Sequence, residues 1–253
     1  MNAGADRLLE ARIGDMLEKC GRGCSYAFSR FLDEHQCAEA ELLCGREVGG
    51  SLKYRFFGGY EGAQRKMLCI YEEYCEDYIE EEFPLKCLTF IFRKEDRLTH
   101  RDFLGSLMGL RLKREVIGDI IIGEGIAQVF VTETAAKLIM TCVSKIGRTG
   151  VKVSDDRPFE IEVRQEFEEI STTVASLRLD CIVGAAAKLS REGSARLIRS
   201  ERVSVNHFPE MSLSREIREG DVVSVRGSGR FILDKISGTT KKGRIHIILR
   251  KYK

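Results

Sequence analysis

The C-terminal third of the chain takes its fold from Arg178-Leu-Asp-Cys-Ile-Val-Gly-Ala-Ala-Ala-Lys-Leu-Ser-Arg-Glu-Gly-Ser-Ala-Arg-Leu-Ile-Arg-Ser-Glu-Arg-Val-Ser-Val-Asn206. The pattern predicts a short helix, a tight break, a second helix and a strand. Ser190 has the short hydroxyl side chain of an N-cap and marks the start of the second helix. At about 100° per residue, Arg196 and Arg199 share one side of that helix. The other side has the small and apolar residues Gly193, Ser194, Leu197 and Ile198.

The residues after this stretch predict a small sheet that completes the same module. Val222–Val225 alternates like a strand, Arg226-Gly-Ser-Gly-Arg230 is typical of a turn, and Ile245–Leu249 is a last apolar strand. The two glycines of the turn allow positive φ angles, which place Arg226 and Arg230 at its edges.

Positive charge is concentrated in the same part of the chain. Residues 174–253 contain 17 Lys and Arg against 8 Asp and Glu, a net charge of +9, whereas the residues before them contain 24 against 31. Clustered Lys and Arg release counterions from a polyphosphate, and Arg adds bidentate contacts that Lys cannot make. The sequence therefore predicts a nucleic acid as the partner. An isolated arginine pair alone would more simply indicate a solvated surface.

The region from Leu177 to Phe231 resembles the αL module shared by the small-subunit ribosomal protein S-four, some pseudouridine synthases and some tRNA synthetases. The matching segments are Arg178-Leu-Asp180, Ser190-Arg191, Leu197-Ile198, Val203–Asn206, and Gly220-Asp221 through Arg226-Gly227. The resemblance implies that RNA is bound rather than DNA. The residues that we predict to bind RNA are Arg178, Lys188, Ser190, Arg191, Arg196, Arg199, Asn206, Arg226, Arg230, Lys241 and Lys242.

Residues 1–83 predict an α-rich N-terminal domain. Its predicted helices are Asp6–Lys19 and Glu34 to about Leu43, the second with a capping box of Asp33 and Gln36 and a stop at Gly45. Leu52–Phe56 alternates like a strand, and Met67–Tyr71 is an apolar run. The glycine-rich segment Phe57–Arg65 between them lacks the Walker spacing, so we predict a tight turn rather than a nucleotide site. Glu72–Glu82 has seven acids and predicts a solvated segment that ends the domain.

Residues 84–170 predict a second domain with the order strand, helix, strand, strand, helix, strand, which is the split βαβ arrangement of ferredoxin-like and RNA-recognition-motif domains. The aromatic pair of a base-stacking sheet is not obvious in it. The predicted elements are Cys87–Phe92, a helix from a Thr99 and Asp102 capping box to Leu110, Ile117–Ile122, a hairpin at Glu124-Gly125, Ala127–Val131, a helix from Thr132 to about Lys145, Val151–Val153 and Phe159–Val163.

The stretch Leu98-Thr-His-Arg-Asp-Phe-Leu-Gly-Ser-Leu-Met-Gly-Leu-Arg-Leu-Lys-Arg-Glu-Val-Ile-Gly-Asp-Ile120, with Phe57-Gly-Gly-Tyr60 and the C-terminal module, resembles the bacterial YlmH family. Two details depart from the family pattern: Ala63-Gln64-Arg65 stands for Ala-Glu-Arg, and Arg111 stands where a loop glycine is expected. The resemblance implies an α+β chain of three domains, 1–83, 84–170 and an S-four-type domain at 174–253. It also implies a partner, the large ribosomal subunit with its rRNA and a stalled peptidyl-tRNA, and a role in C-terminal alanine tailing.

No catalytic constellation is evident, and we expect a non-enzyme without cofactor or metal. His100 lies at a predicted helix start without a paired nucleophile, and Cys20 and Cys24 lack a second metal-binding pair. Pseudouridine synthases also have an Arg-Leu-Asp catalytic motif, so an RNA-modifying enzyme is one alternative, but here Arg178-Leu-Asp180 opens the RNA-binding module, where Asp180 can cap the helix or pair with an arginine. A regulatory RNA binder linked to cell division is another.

The sequence indicates a cytoplasmic protein, which we expect to be a monomer, and the family resemblance implies that it is bacterial. The N-terminus has no apolar signal segment, and no apolar run approaches the roughly 18 residues of a membrane span. The nine cysteines are odd in number and scattered, which is typical of reduced thiols.

Overall fold

The computed structural model describes residues 3–156 and 167–252. The chain is α+β and divides into two compact units, residues 2–163 and 164–253. The described ranges contain the helices α1 (Ala3–Gly21), α2 (Glu34–Glu47), α3 (His100–Gly109), α4 (Glu133–Cys142), α5 (Leu179–Ala187) and α6 (Arg191–Arg199). The strands of the first unit are β1 (Tyr26–Leu32), β2 (Leu52–Phe57), β3 (Lys66–Glu72), β4 (Leu85–Ile91), β5 (Ile117–Gly123), β6 (Ile126–Thr132), β7 (Lys145–Ile146), β8 (Thr149–Gly150) and β9 (Lys152–Ser154). Those of the second unit are β10 (Phe167–Val174), β11 (Val203–Val205), β12 (Phe208–Pro209), β13 (Val222–Val225), β14 (Gly229–Thr239) and β15 (Ile245–Tyr252).

The N-terminal part of the first unit is an antiparallel sheet in the order β1-β3-β2. Its central strand β3 is covered on both faces. Leu68 and Ile70 pack with α1 and α2, whereas Met67, Cys69 and Tyr71 point to the other face. Because side chains alternate along a strand, this burial explains why the strand is an unbroken apolar run.

Several predictions for this part need correction. The capping box of Asp33 and Gln36 is confirmed, but α2 continues through Gly45 to Glu47, because Val48 supplies the closing N–H to the carbonyl of Cys44. Strand β1 was not predicted, since a bulge between Phe28 and Phe31 interrupts its alternation.

The prediction of a solvated acidic segment is wrong in part. Its acids are mostly exposed, but Cys75 and Ile79 are fully buried against the sheet, so one face of the segment belongs to the core. Arg55 forms ion pairs with Glu76 and Glu80 and holds the segment to β2.

The second sheet of the first unit has the order β5-β6-β4-β9, with every neighbouring pair antiparallel. Helices α3 and α4 cover one face of this sheet. Along the chain, the strands of the sheet and these two helices follow in the order strand, helix, strand, strand, helix, strand. The Thr99 and Asp102 capping box and the hairpin between β5 and β6 are confirmed. Helix α4 ends at Cys142 rather than near Lys145. The predicted strand Phe159–Val163 lies outside the described residues.

The face of this sheet opposite its helices is partly covered by the N-terminal sheet. Phe130 of β6 is buried with Phe31 of β1, and the Tyr60 ring lies 4.9 Å from the Phe130 ring. The predicted division at residues 83 and 84 therefore falls inside one compact unit, and the three-domain division stays a prediction.

The second unit is a six-stranded sheet in the order β10-β15-β14-β13-β11-β12. Helices α5 and α6 pack on one face of it, and their buried residues Ile182, Val183 and Ile198 share a core with Phe231 and Leu249. Among residues 3–156 and 167–252, no helix is both long and apolar enough to cross a membrane.

Candidate nucleic-acid interface

Local hydrogen bonds fix the orientation of helix α6. The Ser190 hydroxyl accepts the Gly193 N–H at 3.1 Å, and the Ser194 hydroxyl donates to the Ser190 carbonyl at 3.0 Å. A Cβ added at Gly184 of α5 would lie 3.2 Å from the Ser194 hydroxyl, so the two helices approach closely. Ser194 and Ile198 are fully buried. The predicted N-cap and the predicted packing face are confirmed.

The opposite face of α6 is basic and open to solvent. Arg196 and Arg199 project from this face and are exposed, whereas Arg191, in the first turn, lies on the side of Asp180 and has a side chain that is 83% exposed. Two of these arginines lie in the last turn, where cations complement the helix dipole. The helix therefore presents guanidinium groups outward from a fixed position, which suits contact with an RNA backbone.

A buried carboxylate links the starts of the two helices. Asp180 is 3% exposed and accepts hydrogen bonds from Arg178 Nε at 3.1 Å, from Arg178 Nη2 at 3.3 Å and from the Cys181 N–H. Arg191 Nε lies 3.7 Å from Oδ2 of the same carboxylate, the oxygen that also accepts Arg178 Nη2. Burial acts to raise the pKa of Asp180, but the hydrogen bonds and charge of Arg178, with smaller help from Cys181 and Arg191, hold this pKa below its usual value.

The turn between β13 and β14 adds a second basic surface. Gly227 and Gly229 have φ angles of +90° and +115°, as the sequence indicated. Arg226 and Arg230 line a groove of about 470 Å³ together with Glu201 and with Arg202, a residue that the sequence did not single out. Arg202 stands just before β11, and its carbonyl accepts the Arg226 N–H at 2.9 Å. In the sequence, the feature that could have indicated Arg202 is its position between a basic helix and a strand.

Three further predicted site residues are lysines. Lys188 ends α5 in the left-handed conformation and lines a depression of about 720 Å³ with Lys251 and with Gly227 and Ser228 of the turn between β13 and β14. Lys241 and Lys242 are exposed in the turn between β14 and β15. The next basic residue, Arg244, donates to the Thr173 carbonyl at 2.6 Å, so it fastens this turn to β10.

Both the amide nitrogen and the amide oxygen of the Asn206 side chain form hydrogen bonds within the fold. Its amide nitrogen donates to Asp221 at 2.8 Å, and its oxygen accepts the Val222 N–H at 2.9 Å. These bonds hold a left-handed turn, with φ of +49° at Asn206, against the start of β13. The predicted RNA contacts of Asn206 and the other site residues stay predictions.

The two segments singled out in the first unit meet at one position. Asp119 of β5 accepts hydrogen bonds from the Tyr60 hydroxyl at 2.7 Å and from the N–H groups of Gln64 and Arg65 at 2.7 and 3.1 Å. The glycine-rich turn is therefore tied to the strand by a carboxylate, and it is a tight turn as predicted. A Cβ at Gly118 would lie 2.6 Å from the Phe31 ring, which explains the glycine before Asp119.

His100, which has no paired nucleophile in the sequence, occupies the first turn of α3. Burial lowers its pKa, and the charge of Arg114 lowers it further, while Asp119 acts in the opposite direction. Within the described ranges no group of three or more His, Cys, Asp or Glu side chains could hold a metal ion.

Comparison with known proteins identifies the class. A family model described as "Putative RNA-binding domain in YlmH" matches residues 64–160. Together with the exposed arginine face of α6 and the net charge of +9 over residues 174–253, this match defines an RNA-binding protein.

The comparisons also identify the family. The chain is 33% identical over 227 residues to "Ribosome-associated protein quality control protein P2" of Bacillus subtilis (strain 168), covering 88% of this chain and 86% of that one. It belongs to the YlmH family. A solved structure, "Cell division protein ylmH from Streptococcus pneumoniae", shares its fold over 60% of this chain and 91% of that chain, with a TM-score of 0.52 and 17% identity.

Proposed function

We propose that this protein is a non-catalytic factor that binds rRNA and tRNA on the large ribosomal subunit and aids C-terminal alanine tailing of stalled nascent chains. The printed name of the Bacillus subtilis relative supports a role in ribosome-associated quality control. The observation that carries the proposal is the exposed arginine face of α6, which the burial of Ser194 and Ile198 fixes in place. The proposal includes a cytoplasmic location and a monomeric protein.

The proposed mechanism is positional. One stretch of RNA backbone is bound by the α6 arginines Arg191, Arg196 and Arg199, and another by the groove of Arg202, Arg226 and Arg230. Contacts with phosphate at two separate places fix the orientation of the RNA as well as its affinity, and they need no contacts with bases. The peptidyl-tRNA is thereby held in a productive position.

We also assign a domain type to the second unit and to the second sheet of the first unit. The second unit is an S-four-type αL domain, since two short helices pack on a sheet and present a basic face. The sheet β5-β6-β4-β9 is an RNA-recognition-like domain. Its usual base-stacking face is partly covered around Phe130, so it contacts RNA by another surface.

The direct test is co-sedimentation of the full chain with purified large subunits across a salt series. We expect the double variant Arg196→Ala and Arg199→Ala to bind more weakly and to reduce the slope of log K against log salt by roughly two, about one for each phosphate contact. The matched control is Arg22→Ala with Arg46→Ala, which removes two exposed arginines near helix ends in the first unit. Equal binding by both double variants would refute the assigned face.

A crosslinking map in cells separates the proposal from its alternatives. Crosslinks to large-subunit rRNA and tRNA support it, whereas crosslinks mainly to messages would indicate a regulatory RNA binder. A modified nucleotide that disappears in a deletion strain would indicate an RNA-modifying enzyme instead.

A further inference from the structure

Two arginines of the first unit lie side by side where the glycine-rich turn meets β5. Arg65 Nε and Arg114 Nη1 both donate to the carbonyl oxygen of Ile117, at 3.0 and 2.5 Å. Arg65 Nη2 also donates to the carbonyls of Phe31 and Arg114, and Arg114 Nη1 to that of Gly118. Within the described residues, the two guanidinium groups are thus held in position by backbone oxygens.

Neither guanidinium has a carboxylate partner among residues 3–156 and 167–252. Asp33 and Asp119 act electrostatically on both arginines, but the Asp119 carboxylate accepts its hydrogen bonds from the Tyr60 hydroxyl and from the backbone N–H groups of Gln64 and Arg65. Both side chains are half-buried. Burial lowers the pKa of Arg65, and burial followed by the charge of Arg65 lowers the pKa of Arg114 to about 10, while the negative charges of Asp33 and Asp119 act to raise both pKa values. Two partly buried cations side by side are unfavourable, and a bound anion would offset this cost beyond what the two carboxylates already do.

Donors remain available for that anion. Arg65 Nη1 and the Nε and Nη2 groups of Arg114 have no hydrogen-bond partner in the described part of the chain. A guanidinium with free neighbouring N–H groups matches the oxygens of a phosphate in a bidentate manner.

The surrounding sequence is basic although the first unit as a whole is acidic. Residues 93–114 contain seven Lys and Arg against three Asp and Glu. Both arginines also lie inside residues 64–160, the range matched by the RNA-binding family model. Local charge and the family match therefore favour a polyphosphate over a carboxylate ligand.

We propose that Arg65 and Arg114 form a phosphate-binding site for one phosphodiester group of an RNA backbone, separate from the arginine face of α6. The proposal rests on the proposed function for its RNA partner. It gives the covered sheet a contact with RNA that needs no base stacking, because the ligand is the backbone.

The test uses the full chain, purified large subunits and the variant Arg114→Gln. We expect about tenfold weaker binding near 0.1 M salt and a salt slope reduced by about one. The matched control Lys113→Gln removes the neighbouring exposed charge, and we expect a change below about twofold. Equal binding by the two variants would overturn the site and leave the proposed function standing if Arg196→Ala with Arg199→Ala still weakens binding.

A second measurement keeps the site testable if Arg114→Gln does not fold or if the wild type does not bind subunits. Inorganic phosphate is titrated at constant ionic strength into the wild type and into Arg114→Lys, which keeps the charge but loses the fork. We expect phosphate to raise the thermal midpoint of the wild type more than that of the variant. Equal shifts would overturn the site, whatever the outcome with ribosomes.

Discussion

Replacing Asp180 with Asn tests the link between the starts of α5 and α6. The substitution keeps the shape of the side chain and removes its charge. The remaining oxygen can still accept the Cys181 N–H and Arg178 Nε, but the new amide nitrogen faces Arg178 Nη2, which is itself a donor. The Nη2 bond is therefore lost and the Nε bond loses its negative acceptor, while the packing around the helix start is unchanged.

The magnitude follows from the exposure of the partners. Hydrogen bonds to a charged group are worth about 1.5–3 kcal/mol, and Asp180 makes two to Arg178. The Arg178 side chain is 42% exposed, so water compensates part of its loss. Arg191 is 83% exposed at 3.7 Å and adds little. We expect Asp180→Asn to lower the free energy of unfolding by about 2 kcal/mol at pH 7.

The effect has a defined pH dependence. The pKa of Asp180 is lower in the folded state than in the unfolded state, where it is about 3.9. The charge of Asp180 therefore stabilises the fold fully at pH values above the unfolded-state pKa, and this stabilisation is lost as the pH falls through the folded-state pKa. The assay is urea unfolding of the wild type and Asp180→Asn between pH 7 and pH 3. The difference between them should be constant above about pH 5 and should shrink below about pH 4.

Two results would refute this reasoning. One is a loss below about 0.5 kcal/mol at pH 7, and the other is a loss of the same size at pH 3 as at pH 7. A double-mutant cycle with Arg178→Gln supplies the control, with an expected coupling of about 1–2 kcal/mol. Additive losses would mean that Asp180 and Arg178 contribute independently.

Three further predictions concern stability and can be checked by urea unfolding. Arg111 has φ of +62°, so Arg111→Gly should stabilise the fold by about 0.5–1 kcal/mol, whereas Arg111→Ala, which keeps a Cβ, should bring no such gain. Gly118→Ala should cost about 1–3 kcal/mol, because the new methyl group overlaps the buried Phe31 ring, and an unchanged midpoint would show that the ring can move. Ser190→Ala should cost about 1 kcal/mol through loss of the α6 N-cap, and Ser190→Asp, which can still cap, should recover most of it.

The elements that the sequence predicted well are those fixed by short-range contacts. The capping boxes at Asp33 and Thr99 and the N-cap at Ser190 each join residues three positions apart, so the sequence contains both partners side by side. The buried Ser194 and Ile198 face followed from helix periodicity in the same way.

Structure was missed or wrongly predicted from the sequence where the environment of a residue is formed by distant parts of the chain. Strand β1 is bulged, and it is recognisable only from its pairing with β3, some forty residues later. The Glu72–Glu82 segment has an acidic composition, yet Cys75 and Ile79 are buried because the N-terminal sheet needs its second face covered. Composition gives an average over a segment and does not say which of its faces is packed.

By itself, the sequence determined the helix starts, the basic second unit and the resemblance to a family, because caps, periodicity and charge are local properties. Only the tertiary structure brought Arg202 to the groove of Arg226 and Arg230, and Arg65 to Arg114. Arg65 and Arg114 are 49 positions apart and share the backbone carbonyl of Ile117 in β5. Carbonyl groups are present at every residue, so no side-chain pattern could reveal which of them two arginines would share.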